Sequence, residues 1–136
     1  MIKQVPVLTV VASGGVLGAL CRYGLGVAFP AGPGGFPWAT FAVNVSGCLL
    51  IGVLVVLVTE AGPAHPLLRP FFGTGVLGGY TTFSTAMVDT VRLSSRLSSG
   101  APVMAAVYLF GTLVAALSAT YLGVLGTRLL LRRRPV

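Results

Sequence analysis

The stretch Gly78-Gly-Tyr-Thr-Thr-Phe-Ser-Thr85 lies in the middle of an apolar segment that covers residues 70–97. Two glycines followed by four serine or threonine residues within six positions make a poor helix interior. Hydrocarbon offers no water to unpaired backbone groups, so a helix break inside a membrane must be buried in protein or face water. Broken membrane helices commonly mark an ion or substrate site. The stretch therefore predicts a helix that is broken near 78–82.

Composition places this break in a membrane protein. Of 136 residues, 55% are apolar and only 8% are charged, and the mean hydropathy is +0.96. A soluble domain carries about 25% charged residues, so this chain lacks the polar surface that a water-soluble globule needs. A soluble enzyme, a secreted disulfide scaffold and a disordered chain are excluded, and an integral membrane protein is predicted.

Four apolar segments with short connections predict an all-α, multi-pass protein. A spanning helix takes roughly 20 residues, so residues 1–136 are expected to form a single domain of four transmembrane helices. The first segment could be mistaken for a signal peptide, but its apolar run continues past Arg22 and its removal would leave an odd number of spans. The third helix is expected to break near the bilayer centre. The predicted helices cover 5–29, 38–58, 70–97 and 101–131.

Polar side chains follow one face of the second and of the fourth predicted helix. Thr40, Asn44 and Cys48 recur at every fourth position, as do Tyr108 and Thr112, so each set shares a helix face. Polar groups inside membrane spans are costly and point to function. They also hold helices together in membrane bundles through hydrogen bonds. The spacing leaves both interpretations open.

The charged residues set into apolar surroundings are Arg22 and Asp89. Either they reach the interface from near a helix end, or they line a water-filled vestibule. The other polar groups are mainly hydrogen-bond donors, including the Asn44 amide and the Tyr108 phenol, and Phe83 adds a weakly positive ring edge. Donors without a buried cation suit a small, strongly hydrated anion, so these residues are compatible with a small-anion pathway.

The chain lacks the residue sets that soluble functions need. It has no nucleophile–base pair and no cluster of metal-ligating side chains, so we expect that it is not an enzyme. The net charge is +7, but the bases flank apolar segments, where they usually contact lipid headgroups and help to set topology. The expected partner of these bases is the lipid bilayer and not a nucleic acid.

Three motifs, in order along nearly the whole chain, resemble the Fluc (CrcB-type) fluoride channel family. The first-helix motif is similar to Gly14-Gly-Val-Leu-Gly-Ala-Leu-Cys-Arg-Tyr23. The second-helix motif is similar to Thr40-Phe-Ala-Val-Asn44, followed by Gly47 and Gly52. The third is the stretch from Gly78 to Thr85.

The resemblance implies a fluoride-selective channel in the plasma membrane that lets a cell lose fluoride passively. It implies an antiparallel dimer with two pores at the subunit interface. A structural sodium ion that is not transported would lie at the dimer centre, held by the backbone carbonyls of Gly78 and Thr81. Asp89 stands where the family usually has glutamate. The residues that the resemblance assigns to the ion pathway are Asn44, Phe83, Thr40, Tyr108, Thr112, Asp89 and Arg22.

Two positions depart from the family pattern. Ala86 stands where the family usually has a second phenylalanine, and Ala116 where the fourth helix has a small polar residue. Each change removes one wall or donor from a pore. These departures suggest one degenerate pore, or a structural subunit without a pore. A proton-coupled small multidrug exporter is a further alternative, but its mark is an acid in the first helix, where this chain has Arg22.

The bases are unevenly divided between the two ends of the predicted bundle. A chain that inserts equally in both directions should carry little such bias. The bias favours termini on the inside and a partner that inserts the opposite way, so a heterodimer with a paralogue stands beside the homodimer as an alternative. One end would hold Lys3, Arg69, Arg128, Arg132, Arg133 and Arg134, and the other Arg22, Arg92 and Arg96.

Overall fold

The computed structural model describes residues 4–32, 35–62, 65–96 and 98–132, and these form helices and short connections without a strand. The long helices are α1, α2 and α5, and the third segment consists of shorter helical pieces. In chain order the elements are α1 (Gln4–Ala28), α2 (Trp38–Glu60), a π-helix (Arg69–Leu77), α3 (Gly78–Tyr80), α4 (Phe83–Ser94) and α5 (Ala101–Arg132).

Three of these helices, α1, α2 and α5, are long and apolar enough to cross a membrane. Their ends agree with the predicted bounds to within one or two residues. The third predicted span is present as two pieces on either side of a break, so it contains no single helix of spanning length. An all-helical fold with several membrane-spanning helices is confirmed.

The break in the third segment lies at Thr81 and Thr82, inside the predicted range. Both residues are extended, with ψ 157° at Thr81 and φ −151°, ψ 118° at Thr82. The backbone therefore leaves the helix for two residues before α4 begins. The second half ends at Ser94 and not at 97, and residue 97 itself lies outside the described residues.

The first half of the segment is wider than predicted, because Arg69–Leu77 forms a π-helix. The backbone N–H of Gly78 donates to the carbonyl of Gly73, five residues earlier, as well as to that of Gly75. Pro70 lies in the first turn, where its missing N–H costs nothing. Such π-helical turns are rare and occur often at functional sites. The apolar residue pattern does not distinguish this wider helix from an α-helix.

The two halves of the third segment pack against different helices. Helix α1 packs against the π-helix and α3, while α5 packs against both α2 and α4. Two crossings depend on glycine: a Cβ at Gly18 would collide with the carbonyl oxygen of Val76, and a Cβ at Gly123 with that of Leu49. Close backbone approach of this kind is how membrane helices gain contact without a hydrophobic driving force.

Arginine side chains make polar contacts at both ends of the bundle. Nε and Nη2 of Arg128 lie 2.8 and 2.6 Å from one Glu60 carboxylate oxygen, which joins the ends of α5 and α2. At the other end Arg96 donates to the carbonyl of Gly35 at 3.5 Å. Of the bases counted above, Lys3, Arg133 and Arg134 lie outside the described residues.

The glycine crossing of α2 and α5 makes a stability prediction. Gly123→Ala places a methyl group against the Leu49 carbonyl and should lower the free energy of unfolding by about 1–3 kcal/mol. Gly126→Ala is the matched control, because no atom of another element lies within 4 Å of the added Cβ. Thermal unfolding of the detergent-solubilised chain, read by size exclusion, measures both. Equal stability of the two variants would contradict the crossing.

Candidate functional site

A reciprocal pair of hydrogen bonds holds the break. The Asn44 amide nitrogen donates to the carbonyl of Thr82 at 2.9 Å, and the backbone N–H of Thr82 donates to the Asn44 amide oxygen at 2.8 Å. The amide thus replaces both hydrogen bonds that Thr82 would make within a continuous helix. The Asn44 side chain connects helices, as one of the two interpretations of its spacing predicted.

Thr82 also begins the second half-helix. Its hydroxyl oxygen accepts from the backbone N–H of Thr85 at 3.2 Å, which is a helix N-cap. The same hydroxyl donates to the Thr85 hydroxyl at 3.0 Å. The hydroxyl-rich sequence is therefore used at a helix start, where such residues stabilise, and not in a helix interior, where they compete with the backbone.

Helix α2 contacts the break at two further points that the sequence did not reveal. The hydroxyls of Ser46 and Tyr80 lie 2.9 Å apart and share a hydrogen bond. A Cβ at Gly47 would collide with Cγ2 of Thr81, so glycine lets α2 approach the break. Ser46 also donates to the carbonyl of Ala42. A serine in a membrane helix commonly bonds its own helix in this way, so the sequence alone does not indicate its contact with Tyr80.

The break leaves backbone carbonyls without hydrogen bonds. In a continuous helix the N–H of Thr82 would bond the carbonyl of Gly78, and that of Thr85 the carbonyl of Thr81; here they bond Asn44 and the Thr82 hydroxyl instead. Among the described residues no other donor was found for either carbonyl. Gly78 and Thr81, the residues predicted to hold sodium, therefore keep oxygen atoms free for a cation.

A groove of ≈ 330 Å³ runs between α4 and α5, beginning at the break. It brings together four of the predicted pathway residues, namely Asn44, Phe83, Tyr108 and Thr112. The Phe83 side chain is 78% exposed beside it. The groove is lined by Asn44, Cys48, Thr81, Thr82, Phe83, Ala86, Met87, Tyr108, Leu109, Thr112, Leu113 and Ala116.

Tyr108 and Thr112, the two predicted pathway residues of α5, differ in whether their hydroxyls are hydrogen-bonded. The Thr112 hydroxyl donates to the carbonyl of Tyr108 at 2.6 Å, within its own helix. The Tyr108 ring is fully buried, with Phe36 packed edge-on against it at 5.3 Å between centroids. Its hydroxyl makes no hydrogen bond with the described residues. Tyr108 therefore offers an unused donor, and Thr112 has already used its own.

Thr40 and Asp89 form a pair beyond the groove, towards the end of the bundle. The Thr40 hydroxyl donates to an Asp89 carboxylate oxygen at 2.7 Å. Arg92 lies 3.8 Å from the other oxygen. The Asp89 side chain is only 12% exposed, so it is largely covered by the rest of the bundle. It lines a second pocket of ≈ 260 Å³ with Arg92 and Arg96.

Arg22 is the predicted residue that the single chain does not bring to this site. It lies half-buried on α1, which packs against the π-helix, and it does not line the groove or the Asp89 pocket. Its assignment to the ion pathway stays a prediction.

The two departures from the family pattern both lie at the groove. Ala86 is 6% exposed and packs with Leu93, Ala105 and Tyr108 in the core between α4 and α5. Ala116 lies one turn of α5 beyond Thr112. Both line the groove with a methyl group. The groove is therefore wider at Ala86 than phenylalanine would leave it, and more apolar at Ala116 than a small polar residue would make it.

Comparison with known proteins gives one consistent result. A family model described as CrcB-like protein, Camphor Resistance (CrcB), matches residues 9–124. The chain is 50% identical over 133 residues to "Fluoride-specific ion channel FluC 1" of Streptomyces coelicolor, covering 96% of this chain and 83% of the relative. It is 53% identical over 117 residues to "Fluoride-specific ion channel FluC 2" of Nocardia farcinica, covering 86% and 81%. It is 44% identical over 118 residues to "Fluoride-specific ion channel FluC" of Agrobacterium fabrum, covering 85% and 91%.

The Thr40–Asp89 contact makes a prediction that needs no assay of function. Thr40→Val keeps the shape of the side chain but leaves a largely buried carboxylate oxygen without its donor, which should cost about 1–3 kcal/mol of stability. Thr59→Val on the same helix is the control, because that hydroxyl bonds only its own helix at Val55. It should change stability by less than about 0.5 kcal/mol. Thermal unfolding in detergent compares them, and equal losses would refute a specific role for the contact.

Proposed function

The chain belongs to the CrcB family, and from this membership we propose that it is a subunit of a fluoride-selective ion channel through which a cell loses fluoride passively. The names of its relatives support the substrate. The observation that carries the proposal is the clamped break, which opens onto a mostly apolar groove that contains the Asn44 amide and the Tyr108 hydroxyl as hydrogen-bond donors. The family is one of ion channels, so the expectation that the chain is not an enzyme is confirmed.

The chain is a multi-pass membrane protein, and we propose that its third segment crosses as a fourth span. Residues 69–80 and 83–94 contribute twelve helical residues each. At the α-helical rise of about 1.5 Å per residue the two halves would reach at most roughly 36 Å, since π-helical turns rise less, against a hydrocarbon core of about 30 Å. The break between them would then lie near the bilayer centre. Asn44 supports this arrangement because it supplies the hydrogen bonds that lipid cannot.

Fluoride would pass along the α4–α5 groove between donors that replace its water shell. The Asn44 amide carries two N–H groups and spends one on Thr82, which leaves one for an anion. The start of α4 adds a partial positive charge and free backbone N–H groups. The Phe83 ring edge and the Tyr108 hydroxyl continue the series of weak donors. None of these groups carries a full positive charge, so the anion is stabilised without being trapped.

Beyond the groove, Thr40 and Asp89 would form the wide end of the path. The carboxylate is bonded by Thr40 and faces Arg92, so much of its charge is offset. In this proposal the Arg92 and Arg96 side chains attract anions to the Asp89 pocket, and Asp89 holds Thr40 and its helix in place. This arrangement keeps the carboxylate from closing the path to anions.

A structural sodium ion fits the free carbonyls at the break. The π-helix and α3 end at Gly78–Tyr80, and the end of a helix is partially negative. The carbonyls of Gly78 and Thr81 would hold the ion, since hard cations prefer oxygen ligands. A bound cation would supply fixed positive charge that stabilises the turned backbone. The absence of a Cys, His, Asp or Glu cluster among the described residues is consistent with ligation by carbonyls.

An antiparallel dimer would complete this site, because a two-fold axis brings two sets of carbonyls together. It would also cover the exposed Phe83 ring. Either a second copy or a paralogue could supply the other half. The heterodimer is favoured by the uneven distribution of bases and by Ala86 and Ala116, which leave this chain's groove short of one wall and one donor. One pore of such a pair would be degenerate.

Fluoride efflux from liposomes that contain the purified chain tests the proposed function. If a second copy completes the dimer, the chain alone should release fluoride but not chloride when potassium is shunted by an ionophore. Asn44→Asp should abolish release, because it sets a negative charge in the path. At 4 Å and an effective dielectric constant of 20, that repulsion is about 4 kcal/mol, or roughly a thousandfold in rate. It also exchanges a donor to Thr82 for an acceptor.

Cys48→Ala is the matched control on α2, since Cys48 lies one turn further along the same face and supplies no strong donor. It should conduct like the parent chain. Undiminished flux through Asn44→Asp would remove Asn44 from the pathway. Failure of the well-folded parent chain to conduct alone, with recovery when a paralogue is co-reconstituted, would establish the heterodimer. Failure in both settings would overturn the channel proposal for this chain.

Sodium makes a separate, binding-based prediction. Replacing sodium by N-methylglucamine should lower the unfolding temperature of the detergent-solubilised protein, since a ligand at a hundred times its Kd stabilises by about 2.7 kcal/mol. Gly47→Ala should weaken this dependence, because the added Cβ displaces Thr81. Gly111→Ala, which meets no atom of another element, should keep it. Equal stability of the parent chain in both cations would contradict a structural sodium ion.

A further inference from the structure

A second groove lies on the other side of α2, away from the proposed ion pathway. It has a volume of ≈ 270 Å³ and lies between the second half of α2 and the π-helix. It shares no lining residue with the α4–α5 groove. Its walls are Ile51, Leu54, Val55, Val58, Thr59, Arg69, Gly73 and Thr74.

The groove is amphipathic along its length. Its α2 wall is aliphatic and is formed by four side chains. The missing side chain at Gly73 leaves the opposite wall open, since a Cβ there would meet only Leu54, at an ordinary contact distance of 3.5 Å. The polar part of the lining, here called the mouth, consists of Arg69, Thr59 and Thr74, which are all exposed. A water-soluble anion would use the mouth alone and gain nothing from the aliphatic wall.

The charges at this end favour an anionic occupant. Arg69 is exposed and makes no ion pair or side-chain hydrogen bond with the residues that the structure describes. Glu60, the acid at the same end, is bonded by Arg128. The Thr59 hydroxyl donates to the carbonyl of Val55, whereas the Thr74 hydroxyl makes no hydrogen bond with the residues that the structure describes. The mouth therefore offers a guanidinium and a hydroxyl donor.

We propose that this groove binds one anionic phospholipid. The lipid phosphate would accept from the Arg69 guanidinium, whose fork of donors matches phosphate oxygens, and from the Thr74 hydroxyl. One acyl chain would lie against the aliphatic wall of α2, beside Gly73. The proposal commits to a lipid because the two halves of the groove match the two halves of that molecule. It is independent of fluoride conduction.

Native mass spectrometry of the full-length protein in mild detergent tests this binding. The probes are phosphatidylglycerol and phosphatidylcholine with identical acyl chains, added in equal amounts. The parent chain should retain one phosphatidylglycerol per subunit in preference. Arg69→Gln should weaken that retention roughly fivefold, because a base near the membrane surface contributes about 1 kcal/mol to binding anionic lipid. Arg132→Gln, which removes an exposed base of the same end outside the groove, should leave it unchanged.

Filling the groove gives a second variant that leaves Arg69 intact. Gly73→Leu should displace the acyl chain and lower retention of both lipids. Equal retention of the two lipids by the parent, an unaltered preference in Arg69→Gln, or an equal loss in Arg132→Gln would overturn the proposal. Displacement of phosphatidylglycerol by millimolar inorganic phosphate would overturn the acyl-chain half of it.

Discussion

The two hydrogen bonds between the Asn44 amide and the backbone of Thr82 are the contact on which the third segment depends. Without them, the extended residues at the break would leave a donor and an acceptor unpaired. If the third segment spans the bilayer as proposed, each would cost several kcal/mol. The contact also fixes where α2 crosses the break, and so brings Ser46 to Tyr80 and Gly47 to Thr81. The groove between α4 and α5 begins at this point because α4 starts there.

The break gives one place in the chain two opposite electrostatic characters. The helix that ends there presents carbonyl oxygens, and the helix that begins there presents N–H groups. Thr82 is the dividing residue, since its own N–H and carbonyl are both taken by Asn44. Carbonyl oxygens, which suit a cation, and N–H groups, which suit an anion, therefore lie within a few residues of each other without a charged side chain between them. This accounts for a candidate ion site in a chain with so few charges.

The sequence predicts the layout of this protein better than its contacts. The broken segment and the polar faces of Asn44 and Tyr108 followed from residue type and helical spacing, and the structure brings them to one groove. The partner of Asn44 did not follow, because spacing identifies a face but not the atom across from it. Ser46 was hidden by its bond to its own helix, and the π-helix by an apolar pattern that fits either helix width. The roles of these residues in conduction stay predictions.

The order of Asn44 and Thr82 along the chain bears on how the protein is made. The two residues are 38 positions apart, so α2 is synthesised before the third segment is complete. The extended residues of that segment then meet an amide already in place. A translocating chain would otherwise have to deliver unpaired backbone into hydrocarbon. The order of the two residues along the chain therefore means that Asn44 is synthesised before the backbone that it bonds.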